Sequence, residues 1–447
     1  MHDKEIGRHA YRFLFNLNVS DQMKNLKFAR HGMAAAILGL TALACMSPTS
    51  ALADDKAAAA APTDVLRPEI LKPLSAAKIL ADGKNIPDAL TKLAEADAVT
   101  DKTPYEVYAI ERTRAQFYID SGEKLKAAKA FEAALTSNYM QKKTDQLAMT
   151  EVIGQLYFQI SDYPSTIKWM ERFLSDGGSD PRAKDVLYKA YFLNKDYAKA
   201  YAGLDKFVQD QLAAGQVPDQ QYFQILLNCM VNLNDDAGTM KALEQSNTYY
   251  PTFKNWDYLV SHIHMQPGFN DHLFLDVFRL KQELGLMKTA AEYADMTELA
   301  TRAGLPAEAK KVLDQGFAAG LMDKGAEAKK YATLRTSVTK NADEDLKVMQ
   351  QGEASASKAK DGAPLVNLGM AFATAGQFDK GATLIEQGLA KGVTTRAGEA
   401  KLHLGLVYYW AGRKEDAIKQ LQTVQGNDGI SIIARYWIMQ INRPLAK

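Results

Sequence analysis

Ile153-Gly154-Gln155-Leu156-Tyr157-Phe158, followed by Asp162-Tyr163, Thr166, Met170 and Phe173, has a second copy 34 residues further on. There the chain reads Leu187-Tyr188-Lys189-Ala190-Tyr191-Phe192, then Asp196-Tyr197, Ala200, Leu204 and Phe207. Large and small side chains recur in the same places with no gap. A 34-residue period carrying two helical stretches per copy is the mark of stacked helix–turn–helix units. Such an array exposes a long ridged surface, which suits holding other chains better than it suits chemistry.

Outward from that pair, each unit can be anchored on a small residue of its second helix, with packing residues four and seven places later. The series runs Ala89, Leu93, Ala96; Ala127, Phe131, Ala134; Thr166, Met170, Phe173; and Ala200, Leu204, Phe207. It resumes at Ala309, Leu313, Gly316; Gly381, Ile385, Gly388; and Ala417, Leu421, Val424. Spacings of four and three put each trio on one helix face. The step of 72 residues from Ala309 to Gly381 reads as two units of 36. Gly154, Gly369 and Gly405 lie twelve residues before their anchors, each followed three places later by Tyr157, Phe372 or Tyr408. A glycine there lets the partner helix approach closely. Gly122, Gly304, Gly376 and Gly412 mark the turns, where a left-handed backbone is often needed.

These residues resemble the tetratricopeptide repeat family. Leu404-Gly405, Tyr408, Gly412 and Ala417 form the cleanest unit, and Ala127, Phe131 and Ala134-Leu135 the next. The resemblance implies an all-α fold, a right-handed superhelical solenoid of antiparallel helix pairs with about nine or ten units. It divides the chain into an N-terminal array over 68–250, an irregular helical insertion over 251–285 and a C-terminal array over 286–426. A capping helix and tail follow over 427–447, read from the amphipathic run Ile430 to Ile441. The insertion carries Trp256, Phe269, Phe274 and Phe278, expected as the aromatic core of a long-looped helical pair.

The N-terminus reads as an export signal. Lys24, Lys27 and Arg30 form a basic region before the apolar run Gly32 to Ala44, with the small-residue site Ala51-Leu52-Ala53 beyond it. That run is too short to span a bilayer as a helix. The expectation is translation from Met23, cleavage after Ala53, a periplasmic mature chain and an Ala-rich tether over 54–67. Cys45, preceded by Ala44, resembles a lipoprotein processing site less well, and lipid anchoring there is the alternative. Of 54 basic and 53 acidic side chains, 6 and 3 fall in residues 1–53, so the remainder has a net charge of −2. Nothing in that balance points to nucleic acid or an anionic membrane. Cys229 alone remains after cleavage and is expected to pack as a small apolar residue.

Catalytic signatures are absent from the sequence: there is no phosphate-binding glycine loop and no Gly-x-Ser-x-Gly elbow. His262, His264 and His272, with Asp257 or Asp271, lack the spacing of a metal site. The reading is a non-enzymatic scaffold or adaptor with no cofactor and no metal. The resemblance implies that the first helix of each unit lines an inner groove. Mapping that face here gives Arg112, Gln116, Glu151, Gln155, Phe158, Asp185, Lys189, Phe192, Tyr409 and Trp410 as partner-binding residues. Polar groups with exposed aromatics suit an extended peptide or a helix. Trp256, Arg279-Leu280 through Gly285, Ala294 to Leu299 and the 313–320 stretch are also similar to tetratricopeptide proteins that accompany TonB–ExbB–ExbD systems of Gram-negative bacteria. That similarity implies partners among those components. An outer-membrane lipoprotein assembly factor, or a small-ligand or glycan binder using the insertion, are the competing readings.

Overall fold

The computed structural model describes residues 65–445 of the chain. The export signal, Met23, Ala53, Cys45 and nearly all of the tether lie outside the described residues. The chain divides into two compact units, residues 1–239 and 240–447. Among the described residues the secondary structure is all-α, with two short 3-10 turns and no strand.

The first unit holds α1 (Pro68–Asp82), α2 (Ile86–Asp97), α3 (Pro104–Asp120), α4 (Lys124–Thr136), α5 (Lys143–Gln159), α6 (Tyr163–Ser175), α7 (Pro181–Leu193), α8 (Tyr197–Ala213) and α9 (Gln220–Leu233). Helix α10 (Asp236–Tyr249) spans the division. The second unit continues with α11 (Phe253–Ser261), α12 (Phe274–Glu283), α13 (Ala290–Arg302), α14 (Pro306–Ala318) and α15 (Ala328–Lys358). It ends with α16 (Ala363–Thr374), α17 (Phe378–Lys391), α18 (Ala397–Trp410), α19 (Lys414–Leu421) and α20 (Ile430–Asn442). Within each unit the dominant packing is between consecutive helices, α1 on α2, α3 on α4, α16 on α17, so short turns fold the chain into antiparallel pairs.

The anchors behave as their spacing requires. Ala89, Ala127, Thr166, Ala200, Ala309 and Ala417 are all fully buried, and Leu93, Met170, Leu204, Leu313, Ile385 and Leu421 beside them are at most 1% exposed. Phe207 is half-buried and meets Tyr222 edge-on at 5.4 Å. The small residue of the first helix explains the close pairing. A Cβ on Gly154 would lie 2.7 Å from Met170 Cε, one on Gly369 2.6 Å from Ile385 Cγ1, and one on Gly405 2.7 Å from Leu421. Each contact joins a glycine to the residue sixteen places later, so both units use one register.

Five residues before every anchor the backbone enters the left-handed region, which turns the chain from the first helix into the second. Gly122, Gly304, Gly376 and Gly412 hold that place as the sequence predicts, but Lys84, Ser161, Lys195 and Asn234 hold it too. Asn234 (φ 57°) reveals a turn the anchor series passed over, with Thr239, Leu243 and Ser246 as its buried trio. Ser246 stands where every other trio ends in glycine or an apolar residue, which masks the pattern. Eight such turns occur among the described residues.

One expectation gives way. The 72-residue step does not contain an extra helix–turn–helix pair: α15 is one continuous helix of 31 residues. No proline interrupts it, and its buried residues Tyr331, Val338, Ala342, Met349 and Ala356 form a single narrow stripe. The capping helix also does more than cover the last pair. Helix α20 covers the last pair, as a cap should, and it also packs against α12 on its other side. Trp256 of α11 is fully buried, 5.8 Å edge-on from Tyr436 of α20. Glu244 of α10 receives both Arg435 nitrogens and the Tyr436 hydroxyl at 2.9 Å. The start and end of the second unit therefore meet along a seam.

Candidate functional site

The inner face of the first unit is built by α3, α5, α7 and α9. Three of these helices start at strong caps. Thr103 and Glu106 form a reciprocal capping box on α3, Asp180 caps α7 through the Arg182 amide, and Asp219 caps α9 through the Gln221 amide. Pro104 and Pro181 follow the caps, where a missing N–H costs nothing. These starts fix the rotation of each helix and hence which residues face inward.

Fifteen and eleven residues before the anchors of α4, α6, α8 and α10 the side chains are polar, and all but Lys189 are half-buried. Arg112 and Gln116 occupy these places on α3, Glu151 and Gln155 on α5, Asp185 and Lys189 on α7, and Gln224 and Asn228 on α9. Gln155 Nε2 donates to Glu151 at 2.9 Å, Gln116 Nε2 to Asp120 at 2.8 Å, and Lys189 Nζ to Asp185 at 2.8 Å. Burial raises the pKa of Glu151, and Asp180 adds to the shift. Lys189 is 5% exposed and its ammonium lies 5.3 Å over the Tyr222 ring. Burial, then the Asp185 charge, pushes the Tyr222 phenol well above its ordinary value. Asp185 Oδ1 is buried and makes no well-formed hydrogen bond.

The predicted aromatics behave differently from the polar residues. Phe158 is 6% exposed and meets Tyr163 edge-on at 6.0 Å, so it packs its own unit and offers no surface. Phe192 is half-buried and repeats that contact with Tyr197 at 5.8 Å. In the second unit Tyr409 donates its hydroxyl to Glu283 of α12 at 2.9 Å and tilts against Trp437 of α20 at 5.6 Å. Trp410 is half-buried against the core there. Tyr409 thus belongs to the seam.

The same register on α16 and α18 of the second unit has the opposite character. Val366, Met370, Leu402 and Leu406 hold it, all between 0 and 4% exposed. On α13 it pairs buried Ala294 with exposed Glu298. Helix α12 supplies a buried ion cluster beside these helices. Arg279 grips Glu308 of α14 through two bonds, 2.8 and 2.7 Å, and Asp276 at 2.6 Å. His403 Nε2 of α18 lies 3.1 Å from Asp276. Burial opposes the charge on Asp276, but His403 and Arg279 outweigh it and hold its pKa far below the ordinary carboxylate range. Across the same seam His272 Nε2 sits 2.6 Å from Glu399. The cluster was not visible in the sequence, because Glu308 lies 29 residues from Arg279 and His403 127 residues from Asp276.

The three histidines of the insertion do not converge. His262 stacks on Tyr258 at 3.7 Å, His264 tilts against Phe274 at 6.2 Å, and His272 turns to Glu399. Among the described residues no group of three or more His, Cys, Asp or Glu side chains is placed to hold a metal ion, and no helix is long and apolar enough to cross a membrane. Cys229 is fully buried, and burial pushes its thiol up to about 12.

No family model matches the chain, and no curated protein matches it either. Solved structures give partial superpositions on helical-repeat chains. A chain of the Naa15/Naa10 complex bound to HypK-THB aligns at 15% identity over 82% of this chain and 60% of its own length, with a TM-score of 0.29. Yeast Tom70 aligns at 12% identity over 83% and 96%, TM-score 0.23, and the TPR domain of P58(IPK) at 16% over 82% and 98%, TM-score 0.21. This chain therefore spans about three fifths of the first of them. The fold assignment rests on the helix pairs themselves, which are tetratricopeptide-like in turn, anchor and glycine register.

Proposed function

We propose that this chain is a non-enzymatic scaffold that holds a partner polypeptide on the inner face of its first unit. One contrast carries the reading. The inner positions of α3, α5, α7 and α9 are polar and, but for Lys189, half-buried, whereas those of α16 and α18 are buried and apolar, so the four consecutive pairs of the first unit leave a polar face to another molecule. Half-buried polar groups on rigid helices fix register and orientation in a complex.

The narrower reading places the chain in the periplasm, accessory to a TonB-type transport system, with inner-membrane components of that system as partners. The basic region and short apolar run before Ala53 support export. In-cell photo-crosslinking tests both levels. A crosslinker at Gln155 is expected to trap a defined envelope protein, while one on the exposed face of α15 at Gln350 is not. Equal trapping from both sites, or none from Gln155, overturns the scaffold reading. Trapping of a protein outside the transport system overturns only the narrower one.

A further inference from the structure

The inner face of the first unit carries a specific chemistry. Gln116, Gln155 and Asn228 occupy the same place on α3, α5 and α9, eleven residues before their anchors. Each spends its amide N–H on its own helix: Gln116 on Asp120 at 2.8 Å, Gln155 on Glu151 at 2.9 Å, and Asn228 on the Gln224 carbonyl at 2.8 Å. A side-chain amide has two ends. Tethering the nitrogen orients the oxygen, so the three residues present acceptors on one face, and an extended main chain supplies the matching N–H donors.

Between them lies uncompensated negative charge. Glu151 is half-buried, its described hydrogen bond comes from neutral Gln155, and no ion pair reaches it among the described residues. Arg182, the cation acting on it, is held by Asp180 through bonds of 2.6 to 3.1 Å. One unit further, Asp185 gives Oδ2 to Lys189 and keeps Oδ1 buried without a well-formed bond. A partly desolvated carboxylate lacking a counter-charge selects a cation, because the pair forms where water screens it poorly.

We propose that the inner face of α3, α5, α7 and α9 takes an extended polypeptide segment bearing a lysine or arginine that pairs with Glu151, its main chain donating to the amide oxygens of Gln116, Gln155 and Asn228. This deepens the scaffold reading and rests on it. The bound cation completes Glu151, while Asp185 keeps Lys189 as its partner. An acidic segment at the same place meets like charge and is rejected.

Selection of phage-displayed random dodecapeptides on the immobilised full chain tests it. The expected result is an enriched set with lysine or arginine at one fixed place and depletion of aspartate and glutamate there. On a Glu151→Gln chain of unchanged thermal midpoint that basic preference should disappear, and a selected peptide should bind on the order of tenfold more weakly, the size of one charge-assisted bond. Methylating the peptide backbone nitrogen opposite Gln155 should weaken binding by a similar factor. If peptides are enriched without a basic preference, or with one that survives Glu151→Gln, the charge assignment falls while the scaffold reading stands. If backbone methylation changes nothing, the amide contacts fall. If no peptide is enriched at all, the scaffold reading falls with both.

Discussion

The Tyr157 hydroxyl donates to Glu132 Oε1 at 2.8 Å, and this bond ties the first helix of one repeat to the second helix of the repeat before it. Tyr191 with Glu171 repeats it at 2.5 Å, and Tyr408 with Glu386, in the other unit, at 2.6 Å. In all three the tyrosine lies nine residues before its anchor and the glutamate five residues after the preceding one. The bond is a staple between repeats, written into the sequence at fixed offsets. Burial, then the neighbouring carboxylate, pushes all three phenols up, Tyr408 to about 12, so each stays a donor throughout the neutral range.

Removing the staple should cost stability in proportion to its burial. Glu132 also accepts Trp169 Nε1 at 2.9 Å, so Glu132→Ala strands two donors and should cost about 3 kcal/mol. Tyr157→Phe should cost about 1.5 kcal/mol, and Tyr408→Phe, whose bond is exposed, about 0.5 kcal/mol. Urea unfolding followed by circular dichroism orders the three. Equal losses would show that the bond is not what distinguishes them.

Ser161 (φ 63°) and Lys195 (φ 66°) sit in the left-handed turn that glycine fills elsewhere. Ser161→Gly and Lys195→Gly should each stabilise the first unit by a few tenths to about 1 kcal/mol, since relief of backbone strain exceeds the added freedom of the unfolded chain. Higher thermal midpoints check this, and a fall in both would overturn it.

Alanine at the packing glycines separates flexible from rigid neighbours. A methyl at Gly369 meets the Gly381 carbonyl oxygen at 2.7 Å, which is backbone, whereas one at Gly154 meets the tip of the Met170 side chain. Gly369→Ala should cost about 3 kcal/mol and Gly154→Ala about 1 kcal/mol. The gap between the two in denaturant midpoint is the quantity to measure.

Acid should weaken the link between Arg67 and α3. Glu106 is fully buried and accepts Arg67 Nε and Nη2 at 2.9 Å each, which lowers its pKa from the ordinary value to about 2. A depressed carboxylate contributes stability that is fully present above its unfolded pKa, near 4.5, and is lost as pH falls towards 2. The midpoint of the first unit should decline across that window. Glu106→Gln should flatten the decline while lowering stability at neutral pH.

Arg279→Met should destabilise the second unit by about 3 kcal/mol, because Asp276 and Glu308 lose their shared partner while buried. Calorimetry of the double variant with Glu308→Gln should recover part of that loss. A double variant no better than the single one would show that the carboxylate charge is not the cause.

Much of the architecture was legible in the residues. Anchors such as Ala127 and Leu313 declare themselves because a stacked helix face needs small and large side chains at fixed places. Seven of the eight turns could be placed from them; the turn at Asn234 was hidden because Ser246, buried like an alanine, is a polar residue where the other trios close on glycine or an apolar side chain. The polar inner residues Glu151, Gln155, Asp185 and Lys189 were reachable through register alone. Phe158 and Tyr409 were misleading for a shared reason. An aromatic at an inner-face position looks available until the neighbouring element is known, and for Tyr409 that element, α12, lies 126 residues earlier. Long-range pairing leaves no local trace.

A linear stack of repeats can grow from either end, one neighbour at a time. The bond from Arg435 to Glu244 closes a loop of 191 residues, and Trp256 meets Tyr436 of α20 across a similar span. Ribosomal synthesis must reach residue 442 before that half acquires its last partner, so its refolding should be slow and all-or-none, as high contact order dictates. The first half, whose contacts run between successive helices, has no such wait.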